Sequence, residues 1–151
     1  MIASDEDDDG WGMPTCDEFT ILKTLGEGKT SKVKLARAPD GKLVAVKRFK
    51  EDMLSMPEYL NGELKFMQMM DHPNILKLLS VREHATYTTK FNQKYECFCI
   101  VIEYSGGGDL FEYVAQSGPF KPNICSTYFL QLMHGLQHIH SKGVCHRDMK
   151  L

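Results

Sequence analysis

Leu43-Val44-Ala45-Val46-Lys47-Arg48-Phe49 is a run of apolar residues interrupted by two cations. Its β-branched and aromatic content reads as a strand. Successive side chains of a strand point to opposite faces. Leu43, Ala45 and Lys47 then share one face, and Val44, Val46 and Arg48 share the other. Lys47 therefore stands on an otherwise apolar face, where a bare ammonium is costly. Taken alone, such a lysine is explained by snorkelling at a strand end.

Upstream, Phe19 to Leu25 alternates apolar and polar residues, and Lys32 to Ala36 repeats the pattern with Val33 and Leu35 on one face. Pro39-Asp40-Gly41 supplies the turn before Leu43, proline presetting φ and glycine accepting a positive one. Three strands joined by short turns predict an antiparallel meander. Downstream, Ser55-x-x-Glu58 reads as a capping box with Pro57 in the tolerated first turn. Met56, Leu60, Leu64 and Met67 follow at helical spacing, and His72-Pro73 ends the helix. Ile75 to Val81 and Cys97 to Tyr104 predict two more strands, with His84 to Glu96 as a polar link between them. After Gly106-Gly107-Gly108 the pattern turns helical. Asp109-x-x-Glu112 suits the start of a short helix. A longer helix spans roughly Ile124 to Ser141, with Ile124, Tyr128, Leu132, Leu136 and Ile139 on one side.

The fold class expected is α+β: a five-stranded antiparallel lobe with one main helix, then a partial helical lobe. Residues 1–18 form an acidic tail, 19–105 the first lobe and its joint, and 106–151 the second lobe. The 151 residues are 42% hydrophobic and 25% charged, which suits a domain with its own core. Met1 to Glu18 hold seven acidic residues and no Lys or Arg. The Asp5-Glu6-Asp7-Asp8-Asp9 run repels itself and reads as a solvated tail, or as a docking segment for a basic partner. The remainder holds 18 basic against 13 acidic residues. That mild positive balance suits a polyphosphate ligand and is too dispersed for nucleic acid. Five cysteines without a Cys-x-x-Cys pair argue against zinc and for reduced thiols in a cytoplasmic or nuclear compartment. No apolar run approaches membrane-spanning length, so no membrane partner is expected.

The chemistry starts with phosphate. Gly26 and Gly28 fall between two strands, where the absence of Cβ lets backbone N–H groups approach phosphate oxygens. By itself a Gly-x-Gly there is more often a plain turn. Gly28-Lys29-Thr30 ends like a Walker A loop, but that loop needs glycine where Lys23 stands, and no helix follows. On the helix, Glu63 borders the apolar stripe and wants a partner, and Lys47 is the natural one. Breaking such a buried pair costs about 3–5 kcal/mol. His146-Arg147-Asp148 follows the long helix in a loop, an unremarkable tripeptide when read alone.

In order, spacing and predicted structure, these pieces resemble the eukaryotic protein kinase family over Phe19 to Leu151. The resemblance implies a Ser/Thr kinase that binds ATP and transfers its γ-phosphoryl group to a protein substrate. It implies that Leu25, Gly26, Gly28 and Val33 form the loop over ATP, and that Ala45 with Val33 roofs the adenine. By the same resemblance Lys47 and Glu63 are expected to form the ion pair that holds the phosphates. Ile102 resembles the gatekeeper, Glu103, Tyr104 and Ser105 resemble the hinge, and Asp109 matches the residue facing the ribose. Asp148 resembles the catalytic base, and Lys150 the lysine that contacts the γ-phosphate. Met67, Leu78 and His146 are similar to three of the four members of the family's hydrophobic spine. The Gly-Gly-x-Leu-Phe segment and the wording Gly143 to Asp148 are most similar to the calmodulin-dependent and AMP-activated kinase group.

Three departures qualify that expectation. Ser31 replaces the third loop glycine, and Thr30 replaces the usual aromatic loop tip. The chain stops at Leu151, before the family's catalytic-loop Asn and Asp-Phe-Gly segment. Magnesium's ligands in the family are thus absent, and no metal residue is assigned. Removing one fixed charge-stabilising group typically costs about 2.7–4 kcal/mol in the transition state. The expectation is therefore a kinase segment inactive on its own. The alternative is a non-catalytic nucleotide-binding or protein-interaction segment.

Overall fold

The architecture comes from a computed structural model that describes residues 12–50 and 57–150, without the side chains of 57–61 and 63. Among the described residues six strands form, β1 Thr15–Cys16, β2 Phe19–Glu27, β3 Ser31–Arg37, β4 Leu43–Phe49, β5 Leu78–Thr88 and β6 Lys94–Glu103. Three helices form as well, α1 Pro57–Met69, α2 Leu110–Ser117 and α3 Pro122–Ser141. All strand pairs are antiparallel, and the order β1-β2-β3-β4-β6-β5 closes on itself as a barrel. The expected capping box at Ser55 lies outside the described residues.

Strand parity decides which side chains fill the barrel. Val44 and Val46 face inward with Ile21, Ala36, Cys99 and Val101. Val46 and Val101 stand opposite each other and are each 1% exposed. Full burial of such a side chain contributes about 1.5–3 kcal/mol. The other face of the same strands is also apolar and buried at Leu35, Ala45, Phe98 and Ile100. Burial on both faces explains why Cys97 to Val101 reads as a continuous apolar run rather than an alternating one.

Two turns account for the tightness of the sheet. Gly41 takes φ 87°, in the left-handed region, and donates its N–H to the Ala38 carbonyl at 2.9 Å. Asp40 Oδ1 accepts from the Lys42 N–H at 3.0 Å. The second turn corrects the sequence reading, because most of 84–96 is sheet rather than a polar link. β5 runs on to Thr88 and β6 begins at Lys94. Thr89 N–H reaches the Gln93 carbonyl at 2.9 Å, with Asn92 at φ 60°. The polar look of this hairpin has a simple cause. Ala85, Tyr87 and Cys97 point into the barrel, while His84, Thr86 and Glu96 face water. Only every second residue is apolar, and one of those is a small alanine.

Further differences are local. β1 adds a sixth strand of two residues, too short for any periodicity, and it closes the barrel by pairing with both β2 and β5. The strand expected from Ile75 starts at Leu78, since the Ile75 N–H is spent on the His72 carbonyl at 3.0 Å in a turn. Asp109 occupies the N-cap of α2 in extended conformation but makes no side-chain cap bond.

The chain divides into two compact units. One joins the described residues before Gly62 to Leu78–Tyr104, and the other joins Gly62–Lys77 to Ser105–Leu151. Helix α1 contributes to both. In the second unit α3 opens with Pro122 at its first position, a site where the missing N–H costs nothing. Gly135 is buried, and a Cβ there would stand 3.2 Å from the Asn74 carbonyl oxygen, so the tight packing needs glycine. The His72 and His138 rings lie 5.2 Å apart. An apolar cavity of about 310 Å³ is lined by Met67, Ile75, Leu136, Ile139, His146 and Met149, among others. The outer part of the α3 stripe, Ile124, Tyr128 and Leu132, is exposed.

Candidate active site

Cross-strand register assembles the first unit's part of the site. Gly26 stands opposite Val33, Val33 opposite Lys47, and Lys47 opposite Ile100. Two residues along, Leu35 stands opposite Ala45 and Ala45 opposite Ile102. Directly opposed residues share a face, as do residues two apart on one strand. Val33, Ala45, Lys47 and Ile102 are therefore brought to one face of the sheet, away from the barrel interior. Glu103, opposite Val44, ends β6.

The glycine segment is held at its base and open above. Gly28 donates its N–H to the Ser31 carbonyl at 2.8 Å, and Lys50 N–H reaches the Thr30 carbonyl at 3.0 Å. Glu27 bridges Lys50 at 3.1 Å and Lys32 at 3.2 Å. Lys50 first, and then Lys32, hold its carboxyl below the usual carboxylate range. The role of Glu27 was not anticipated from the sequence, although an acid five residues before one lysine in a hairpin is a readable hint. Leu25 is exposed at the end of β2. Among the described residues a Cβ on Gly26 would meet no atom within 4 Å, and its φ is not in the left-handed region.

Lys47 is half-buried, with Nζ 4.8 Å from the centre of the Phe49 ring. Such a contact with a cation contributes about 0.5–1 kcal/mol at an exposed site and more when desolvated. Phe49 was missed as a neighbour of Lys47, although a two-residue spacing on a strand puts them on one face. The side chain of Glu63, the expected partner of Lys47, lies outside the described residues.

In the second unit Ser105 follows β6 and Asp109 occupies the N-cap position of α2, both exposed. Gly143, at φ 74°, ends α3 with its N–H on the His140 carbonyl at 2.9 Å. The chain then reaches Arg147 at φ 63°, an unusual conformation for a residue with a Cβ and worth about 1–2 kcal/mol of strain. Asp148 N–H donates to His146 Nδ1 at 3.3 Å. Asp148 Oδ2 and Lys150 Nζ lie 3.0 Å apart, and both side chains are about three-quarters exposed at 74% and 72%. Acid and ammonium are thus adjacent, and both are accessible from solvent. No three described His, Cys, Asp or Glu side chains gather where they could hold a metal ion. Among the described residues no helix is long and apolar enough to cross a membrane.

A family profile described as Protein kinase domain matches residues 19–151. The chain is 35% identical over 137 residues to a probable serine/threonine-protein kinase of Dictyostelium discoideum, covering 87% of this chain and 15% of that protein. It is 36% identical to CBL-interacting serine/threonine-protein kinase 3 of Arabidopsis thaliana, covering 88% and 29%. It is 30% identical to NUAK family SNF1-like kinase 2 of Rattus norvegicus, covering 88% and 20%. The chain thus spans between 15% and 29% of the length of these relatives. Among solved structures, Rad53 1-466 in complex with AMP-PNP superposes with a TM-score of 0.70 at 29% identity, covering 88% of this chain and 33% of that one.

Proposed function

Because the chain belongs to the protein kinase family, we propose that this protein is a serine/threonine kinase that transfers the γ-phosphoryl group of ATP to hydroxyls of a protein substrate. The observation that carries the reading is the cross-strand row Gly26, Val33, Lys47 beside Ala45 and Ile102. It combines one cation, an apolar surface and a glycine that nothing among the described residues requires. Neither its φ nor any neighbouring atom forbids a side chain at Gly26. The open space there fits a polyphosphate approached by backbone N–H groups. The Rad53 match in complex with AMP-PNP supports a nucleotide in this fold.

In this reading Leu25, Gly26 and Gly28 cover the phosphates, and Val33, Ala45 and Ile102 pack against the base. Glu103 and Ser105 hydrogen-bond the edge of the base, and Asp109 meets the ribose. Lys47 neutralises the α- and β-phosphates with Glu63 holding it in place. Asp148 accepts the proton of the attacking hydroxyl, and Lys150 faces the γ-phosphate. Bound ATP supplies the group transferred. In the complete family domain magnesium would neutralise charge at these phosphates. We infer further that residues 1–151 taken alone bind nucleotide without turnover, and that the protein falls in the calmodulin-dependent and AMP-activated group.

The test is binding. ATP should stabilise the 151-residue chain against heat with saturable, concentration-dependent shifts, and Lys47→Met should weaken that binding at least tenfold. Absence of any shift, or equal affinity in the variant, contradicts the reading. For transfer, the protein tagged at its own locus should label Ser and Thr from γ-labelled ATP, and Asp148→Asn should abolish the label. Label confined to Tyr would overturn it.

A further inference from the structure

Three of the five cysteines meet inside the barrel, although they are far apart in sequence. Cys16 on β1 and Cys99 on β6 have their Sγ atoms 3.4 Å apart. Cys97, two residues before Cys99, points the same way into the same core. All three are free thiols. A buried cysteine is ordinarily a small apolar filler. This cluster has an additional neighbour. Arg48 stands opposite Cys99 in the β4–β6 register and so shares the interior face. Its guanidinium lies 4.7 Å from the Tyr87 ring centre and donates to the Tyr95 hydroxyl.

We propose that these residues form an oxidisable thiol centre, at which hydrogen peroxide drives a disulfide from Cys16 on β1 to β6. Accessibility picks the sulfur that reacts first. Cys97 is 6% exposed, against 0% for Cys16 and for Cys99. The positive charge of Arg48, on the same interior face, favours a thiolate at Cys97. A thiolate, not a thiol, is the nucleophile toward peroxide.

The steps balance. The Cys97 thiolate attacks one peroxide oxygen, an S–O bond forms, the O–O bond breaks, and the hydroxide released takes up a proton to become water. The Cys16 sulfur then displaces the sulfenic hydroxyl, which takes up the Cys16 thiol proton and leaves as a second water. Two thiols are oxidised to one disulfide, and one peroxide is reduced to two waters. Cys97 and Cys99 cannot serve each other. Two residues apart on a strand they stand about 6.6 Å apart with parallel side chains, too far for the Cβ separation a disulfide takes. Cys16, on a different strand with its Sγ 3.4 Å from that of Cys99, supplies the second sulfur. After the first bond forms, Cys99 is placed to exchange with it. The consequence is local. β1 is only two residues long, and it closes the barrel between β2 and β5. A covalent link would fix that closure.

The test treats the reduced 151-residue chain with hydrogen peroxide, alkylates the remaining thiols in denaturant, digests without reductant and maps the products by mass spectrometry. The expected product is the Cys16 peptide linked to the peptide containing Cys97 and Cys99. Cys125 and Cys145 are exposed and serve as internal controls for peroxide exposure. Cys16→Ser should abolish the link to β6, and Cys97→Ser should slow it at least tenfold. Oxidation confined to Cys125 and Cys145, with Cys16 fully alkylated, overturns the proposal. A Cys97→Ser variant that links at the unaltered rate overturns the assignment of the attacking sulfur. The map of the unsubstituted chain needs no variant, so a poorly folding substitution does not shield the idea.

Discussion

Gly26→Ala separates the needs of the fold from those of a ligand. Within the protein the change is nearly free. The backbone at Gly26 lies outside the left-handed region, and no atom of the described residues approaches within 4 Å of the new methyl group. Replacing glycine by alanine where the conformation already suits alanine stabilises by about 0.4–1 kcal/mol, through the unfolded chain. In the proposed site the nucleotide would meet the opposite effect, because the methyl group would occupy the space through which a backbone N–H reaches a phosphate oxygen. Losing one hydrogen bond to a charged group costs about 1.5–3 kcal/mol. At 1.4 kcal/mol per factor of ten, ATP affinity should fall by roughly 10- to 150-fold. Gly41→Ala is the matched contrast, since Gly41 has φ 87°. It should lose about 1–2 kcal/mol of stability and leave ATP affinity unchanged. Urea unfolding and calorimetric ATP titration of the two variants make the comparison. A Gly26→Ala protein destabilised by more than about 1 kcal/mol, or one with unaltered ATP affinity, refutes the reasoning.

Other variants probe the scaffold. Ile100 is fully buried, so Ile100→Ala should cost about 2–5 kcal/mol in urea unfolding. Gly135→Val should lose about 1–3 kcal/mol, because a Cβ at that position already stands 3.2 Å from the Asn74 carbonyl. His84 has its pKa raised above 6.5 by its hydrogen bond to Glu96 and then by that group's charge. A raised folded-state value stabilises fully below the unfolded pKa, and the gain is lost as pH rises through the folded one. His84→Gln should therefore lower the thermal midpoint below roughly pH 6 and match the parent above roughly pH 8. Equal differences across that range would count against the pair.

Legibility followed the length scale of each interaction. A strand's period of two is local, so the opposite faces of Val44 and Lys47 could be read from seven residues. The Pro39-Asp40-Gly41 turn was readable for the same reason, since one glycine φ and one aspartate oxygen define it. The 84–96 hairpin was hidden because an alternation built on Ala85, Tyr87 and Cys97 leaves every other residue polar. β1 was hidden because two residues carry no period, and its pairing energy comes entirely from strands elsewhere in the chain.

By itself the sequence determined the α+β class, the parity of β4 and the order of the motifs that mark a protein kinase. These depend on neighbours a few residues apart. Tertiary structure alone decided that Gly26, Val33 and Lys47 fall in one cross-strand row with Ala45 and Ile102 beside it. It also decided that Cys16 and Cys99, 83 positions apart, bring their sulfurs together. The physical reason is register. A slip of one residue in any strand pair would turn these side chains to opposite faces, and what fixes the register is the packed interior of the closed barrel.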